Sequence, residues 1–113
     1  KVSIWRVPEI DAAPMKTYSG QRTIDGIKVT VDGQALDECF AIEVFDERGF
    51  EWSYEGSAPR QLAFAILVDH LQNSDRAKEQ TESFMKTVVA NLDNDWALNT
   101  DQIQAALAGA PGN

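Results

Sequence analysis

The sequence predicts a small α+β domain, in which an antiparallel sheet of three to five strands, built from β-hairpins, is followed by three helices packed on one face. Two observations support this fold class. Tight-turn signals and alternating apolar residues, which are typical of hairpins, fall in the first half of the chain. Helix-capping residues and apolar residues at helical spacing fall in the second half. Strands first and helices later favour α+β over a parallel βαβ arrangement.

Two Asp-Gly pairs predict the first two turns of the sheet. Asp25-Gly26 and Asp32-Gly33 are suited to the positive φ that short hairpin loops require. The residues between them alternate apolar and polar side chains. We therefore predict strands near 17–24, 27–31 and 34–37.

A third hairpin is predicted over residues 40–54. Apolar and polar residues alternate in 40–45, and the aromatic residues at 50, 52 and 54 alternate with polar ones. Asp46–Gly49 forms the predicted four-residue turn between the two strands, with Gly49 in the left-handed conformation. This pattern favours a sheet with one buried face, which puts Glu51 and Glu55 together on the other face.

The first helix is predicted to begin at Ser57, acting as N-cap, and to run to about Leu71. Its stretch Leu62–Val68 is apolar around much of the helix, so we expect the helix to lie centrally. Asn73 is the expected left-handed C-terminal residue, and Ser74 the expected cap of the next helix.

Two further helices complete the prediction. In the second, Ala77 and Phe84 lie on one apolar stripe, and Asn94 is the expected stop. The third begins at Asn99 or Thr100, and the Asn99 reading gives a capping box with Gln102. Residues 15–108 thus form the predicted domain, after an N-terminal lead-in or short strand over 1–14 and before a flexible tail over 109–113.

Charge and composition exclude several functions. The chain has 18 acidic and 10 basic residues, a formal net charge of -8, so direct binding to nucleic acid is not expected. No apolar run is long enough for a membrane span, and the single cysteine, Cys39, rules out an intrachain disulfide. We therefore expect a cytoplasmic protein with no membrane contact.

The segment from Phe50 to Ala63, FEWSYEGSAPRQLA, is distinctive. It resembles the hallmark of a domain family of unknown function found in phages, plasmids and bacterial and archaeal genomes. Members carry FEWGY, one variable residue and GSGPxQLA, so Ser53 and Ala58 stand where two glycines are common. The resemblance extends over about 18–107. It implies the fold and a mobile-element setting, but no activity.

The junction between the third hairpin and the first helix is one candidate site. Its backbone N–H groups could hold an anion, and its aromatic residues could stack on a ligand. Capping by Ser57 and core burial of the aromatic side chains are the simpler interpretations. The candidate ligand residues are Trp52, Tyr54, Ser57 and Gln61.

An acidic surface is the other candidate. Eight acids and one base, Arg48, lie between Asp32 and Glu55. Such a surface commonly serves solubility, and it can also bind a partner. The candidate interaction residues are Glu43, Asp46, Glu47, Glu51 and Glu55.

The sequence contains no phosphate-binding glycine loop, zinc-ligand spacing or nucleophile elbow. His70 is the only histidine and stands alone, and Cys39 has acidic neighbours that disfavour a reactive thiolate. We therefore assign no catalytic, cofactor-binding or metal-binding residue, and expect Cys39 to be buried.

Three functions remain open. The leading hypothesis is a non-enzymatic protein-interaction module, an accessory protein of a mobile genetic element, that binds another protein or forms a homodimer. The second is an acidic nucleic-acid mimic that inhibits a host nucleic-acid-binding or defence protein. The third is a small ligand-binding protein or enzyme that uses the junction 52–61.

Overall fold

The computed structural model describes residues 15–109. Within this range the chain forms the predicted α+β fold, a four-stranded antiparallel sheet with three α-helices. The predicted lead-in over 1–14, and all of the predicted tail except Gly109, lie outside the described residues. The elements in chain order are β1 (Thr17–Thr23), β2 (Gly26–Val31), β3 (Gln34–Ala35), α1 (Ser57–Leu71), α2 (Ser74–Thr87), a short 3₁₀ helix (Val89–Asn91), β4 (Trp96–Asn99) and α3 (Thr100–Ala108).

The Asp32-Gly33 turn is confirmed, whereas the first turn lies one residue earlier than predicted, at Ile24-Asp25. β1 pairs with β2 and β2 with β3, both antiparallel, across loops of two residues. Gly26 has a φ of 122° at the end of the first loop. In the second, Asp32 and Gly33 have φ values of 50° and 85°, which is the backbone that short hairpin loops require.

A fourth strand comes from the far end of the chain. β4 pairs with β1 on the side opposite β2, so the strand order is β3-β2-β1-β4. A strand over residues 96–99 was not expected from the sequence. A four-residue strand, reached only after two helices, carries too little local pattern to be recognised.

The core lies on one face of this sheet. Tyr18 of β1 and Val29 of β2 are buried in one cluster with Leu62–Leu67 of α1. The buried residues of α1 run without interruption from Leu62 to Leu67, which confirms its central position. On the other face, Ser19 and Thr30 share a hydrogen bond between their hydroxyl groups.

The predicted third hairpin is wrong. Residues 36–56, here called the connecting segment, contain turns and bends but no strand. Only the turn Asp46–Gly49 forms as expected, with Gly49 donating to the carbonyl of Asp46 and having a φ of 105°. Because no strand is present, Glu51 and Glu55 do not share a sheet face.

Three helix caps lie one residue earlier than predicted. Gly56 is the N-cap of α1, so Ser57 is its first residue, and no side chain caps this helix. At the other end, Gln72 takes the left-handed conformation expected of Asn73. Asn73 instead caps α2, where its side chain accepts a hydrogen bond from the N–H of Arg76, the role expected of Ser74.

The later helices follow prediction in part. α2 ends at Thr87, before the expected stop at Asn94, because the 3₁₀ helix follows it. The capping box between Asn99 and Gln102 is confirmed at the start of α3. No helix among residues 15–109 is both long and apolar enough to cross a membrane.

Candidate functional site

Gln61 holds the connecting segment in place. Its side chain is fully buried on α1, and its Oε1 accepts hydrogen bonds from the N–H groups of Phe45 (2.5 Å) and Asp46 (3.1 Å). Its Nε2 donates to the carbonyls of Glu38 (2.8 Å) and Glu43 (3.1 Å). These four bonds use the full capacity of the amide. Gln61, a predicted ligand residue, is therefore occupied by the protein's own backbone.

Asp46 fixes the turn that follows. Its carboxylate accepts a two-point pair from the guanidinium of Arg48, at 3.0 and 2.7 Å, and a bond from the Arg48 backbone N–H. The hydroxyl of Ser57 donates to the same carboxylate at 2.9 Å. Hydrogen bonds from Arg48 hold the pKa of Asp46 well below its usual range. Asp46 and Ser57 thus join the turn to the start of α1.

Arg22 ties the next part of the connecting segment to the sheet. Its Nη2 donates to Glu51 at 2.6 Å and to the carbonyl of Trp52 at 3.0 Å, and its Nη1 donates to Asn94 at 2.7 Å. The guanidinium carbon lies 4.5 Å from the ring centroid of Trp52, a cation–π arrangement. Trp52 is fully buried and packs edge-to-face on Trp96 at 5.7 Å, which agrees with the core position expected for it.

The five predicted acidic interaction residues do not form one free surface. Asp46 is buried, Glu51 is paired with Arg22, and Glu43 lies 3.1 Å from Lys78. Glu47 and Glu55 are exposed. The acidic character that faces solvent is therefore carried by fewer side chains than the sequence suggested.

Cys39 is buried, as expected, and desolvation together with Asp37 raises the pKa of its thiol. It borders a cleft of about 490 Å³ between β3 and the ends of α1 and α2. Asp69, in the same cleft, accepts from the hydroxyl of buried Tyr18 at 2.5 Å and pairs with Lys16. Burial also lowers the pKa of His70. These groups are neutral or already paired, which suits structure better than catalysis.

A groove lies beside β2. It consists of two adjoining clefts, of about 680 and 370 Å³, that share Ile27, Arg48 and Phe50. We call the two together the β2 groove. The larger cleft runs along Gly26–Thr30, and the smaller one is bordered by Tyr54 and Ala58.

Apolar side chains reach solvent around this groove. Ile27 is 40% exposed and Tyr54 is 47% exposed, and both border it. Phe50, also expected in the core, is only partly buried. Tyr54 is the one predicted ligand residue that borders the groove. The other residues that line the groove, such as Ile27 and Leu36, carry no local pattern that marks a binding site.

The groove is lined by both apolar and charged side chains. Among residues 15–109, no three His, Cys, Asp or Glu side chains gather in a way that could hold a metal ion. Of the charged residues that line the groove, Arg48 is engaged with Asp46 and Glu51 with Arg22. Lys28 and Glu38 also line it and form no ion pair with any of residues 15–109. What faces the groove is an apolar strip with a mixed polar border.

Comparison with known proteins gives a family but no activity. No curated protein and no solved structure matches the chain significantly. One family model, described as a family of unknown function (DUF6166), matches residues 18–109, which include every element from β1 to α3 apart from the first residue of β1. The chain therefore belongs to this family of unknown function.

Proposed function

We propose that this domain is a non-enzymatic protein-interaction module whose binding surface is the β2 groove. The observation that carries the proposal is the exposure of Ile27 and Tyr54 around two adjoining clefts. Exposed apolar side chains gathered in a concave surface are typical of protein contacts. Aromatic residues at such surfaces commonly supply much of the binding energy.

The other predicted functions have less support. A nucleic-acid mimic needs a row of free carboxylates, whereas Asp46, Glu43 and Glu51 are engaged by Arg48, Lys78 and Arg22. A ligand site at 52–61 needs polar groups turned outward. Trp52 and Gln61 are fully buried, and the hydroxyl of Ser57 is bonded to Asp46. We also propose that the protein is an accessory protein of a mobile genetic element, and this part rests on the sequence resemblance alone.

Site-specific photo-crosslinking tests the proposal. A photoreactive phenylalanine analogue replaces Tyr54 in the groove or, as a control, exposed Gln104 on α3. In lysate of the cells that make the protein, we expect a discrete crosslinked protein from position 54 and none of the same mass from position 104. Excess unlabelled wild-type protein should compete the product away.

A variant checks that the groove itself is responsible. Ile27→Asp changes a side chain that borders the groove and is already 40% exposed, so the fold should be retained. As unlabelled competitor, it should fail where wild type succeeds. Equal competition by the variant, or equal crosslinking from both positions, would count against the groove as the binding surface.

A further inference from the structure

The register of the sheet tells which way the backbone of β2 faces. The N–H of Leu36 donates to the carbonyl of Val29 across the edge that faces β3. Backbone groups of successive residues alternate between the two edges of a strand, so Ile27 faces the same edge as Val29. Ile27 and Arg22 accordingly form a non-hydrogen-bonded pair, in which the backbone groups of the two residues do not bond each other.

β3 is too short to cover that edge. It pairs with β2 only at Thr30↔Ala35 and Val31↔Gln34. After Leu36 the chain turns away into the connecting segment, leaving the N–H and C=O of Ile27 without a partner among residues 15–109. An open strand edge of this kind is a template for pairing with another chain. The larger cleft of the β2 groove runs beside it.

We propose that an extended peptide segment of another protein adds to the sheet as a fifth strand at Ile27, continuing the position that β3 leaves. This inference rests on the proposed function and names the form of its partner. Strand addition draws affinity from backbone hydrogen bonds and specificity from pockets for alternate side chains. Here Leu36 and Phe50 line the groove and would receive apolar side chains.

Charge favours a basic partner. The connecting segment borders the groove through Glu38 and Arg48. Four of its seven acids form no ion pair with any of residues 15–109, namely Asp37, Glu38, Glu47 and Glu55, whereas its only base, Arg48, is paired with Asp46. The whole chain has a net charge of -8. Lys or Arg residues flanking the paired segment would speed its approach. The same charge disfavours a second copy of this chain on the edge, since two strongly negative molecules repel.

A displayed library of random dodecapeptides, selected on the wild-type domain, tests the inference. We expect enriched peptides with alternating apolar residues and basic flanks. Ile27→Pro removes the outward N–H while sparing the β1–β2 ladder, because proline is tolerated where the N–H faces away from a partner strand. It should weaken binding of the enriched peptides about tenfold. Ile27→Val keeps the N–H and should bind nearly as wild type.

Amide hydrogen exchange of the wild-type domain gives a second readout that does not depend on a variant. Without peptide the amide of Ile27 should exchange fast, while that of Lys28, which faces β1, is already protected. Adding an enriched peptide should protect Ile27 and leave Lys28 unchanged.

Four results would overturn the inference. In the selection, these are the absence of any enriched peptide and the enrichment of acidic peptides. In the binding assay, it is equal affinity of the enriched peptides for wild type and Ile27→Pro. In sedimentation, it is a change in self-association as the only effect of Ile27→Pro. Enriched peptides that ignore Ile27→Pro but compete with the crosslink at Tyr54 would remove strand addition alone. The interaction function would then stand. Loss of the crosslink result as well would remove both.

Discussion

The side-chain amide of Gln61 donates a hydrogen bond of 2.8 Å to the backbone carbonyl of Glu38, which lies 23 residues earlier in the chain. With its three other bonds, to Glu43, Phe45 and Asp46, this side chain pairs backbone groups that a β-ladder would otherwise pair. Buried backbone groups need partners whatever the secondary structure. One buried glutamine therefore takes the place of the hairpin that the sequence pattern predicted.

Gln61→Leu should strongly destabilise the domain. Leucine is similar in size but cannot pair with the two N–H and two C=O groups, and each buried group left unpaired costs about 1–3 kcal/mol. We expect a loss of about 3 kcal/mol or more in the free energy of unfolding, measured with urea. Gln104→Leu, at an exposed position of α3, is the matched control and should change stability by less than about 0.5 kcal/mol. Similar losses from the two variants would contradict the role of Gln61.

The parts of the fold that sequence could predict are those specified by neighbouring residues. The turn at Asp32-Gly33 and the capping box of Asn99 depend on contacts within three residues. The third hairpin failed because the alternation in 40–45 was taken as evidence of a buried face. Val44, at one of these apolar positions, is instead 50% exposed.

The candidate site shows the same limit more strongly. The groove exists because β3 ends after two residues and because Gln61 draws the connecting segment away from β2. Neither the length of β3 nor the partner of Gln61 is marked by a local motif. Tyr54 was predicted as a ligand residue because it lies in the distinctive segment. Ile27 has the sequence pattern of an ordinary strand residue, and nothing in that pattern shows that it borders the groove.

Gly20→Ala should destabilise the domain by about 1–3 kcal/mol, the usual cost of overpacking a core. A Cβ on Gly20 would come within 2.4 Å of Nε1 and 2.5 Å of Cε2 of Trp96. Trp96 is buried and packed against Trp52, so its ring has little room to shift. Thermal or urea unfolding would measure the change.

A double-mutant cycle with Trp96→Phe serves as the control for Gly20→Ala. Phenylalanine is smaller than tryptophan and leaves space where the new Cβ would lie. Gly20→Ala should therefore cost less in the Trp96→Phe background than in wild type. Equal costs in both backgrounds would mean that the effect of Gly20→Ala does not come from the Trp96 ring.

Asp46 should contribute to stability in a pH-dependent way. Its pKa is lowered in the folded protein by hydrogen bonds from Arg48, so the folded state binds fewer protons than the unfolded state. Its contribution is complete above the unfolded pKa of about 3.9 and is lost as the pH falls from there towards the lowered folded value. We expect wild type to be more stable than Asp46→Asn at pH 7, and the difference to shrink steadily below about pH 4.

Urea unfolding of both proteins between about pH 2 and pH 7 would measure this difference. Glu82 also has a lowered pKa, because of Arg60, and makes wild type itself less stable in acid. That loss is common to both proteins and cancels in the comparison. If the stability difference between wild type and Asp46→Asn stayed constant over this pH range, the ionised form of Asp46 would not be what stabilises the folded protein.

Charge reversal at Glu51 should lower stability, whereas charge reversal at Glu47 should leave stability nearly unchanged. Glu51→Lys would face Arg22 and leave the N–H of Trp52 without its acceptor, so we expect a loss of about 1.5–3 kcal/mol. Glu47→Lys, the same change at an exposed position, should alter stability by less than about 0.5 kcal/mol.

Because it leaves the fold intact, Glu47→Lys is the variant that tests charge in recognition. It should slow association with a basic peptide, and more so at low salt. If Glu51→Lys proves as stable as wild type, the structural role of Glu51 is wrong. If Glu47→Lys binds the peptide at the wild-type rate at every salt concentration, the role of Glu47 in recognition is wrong.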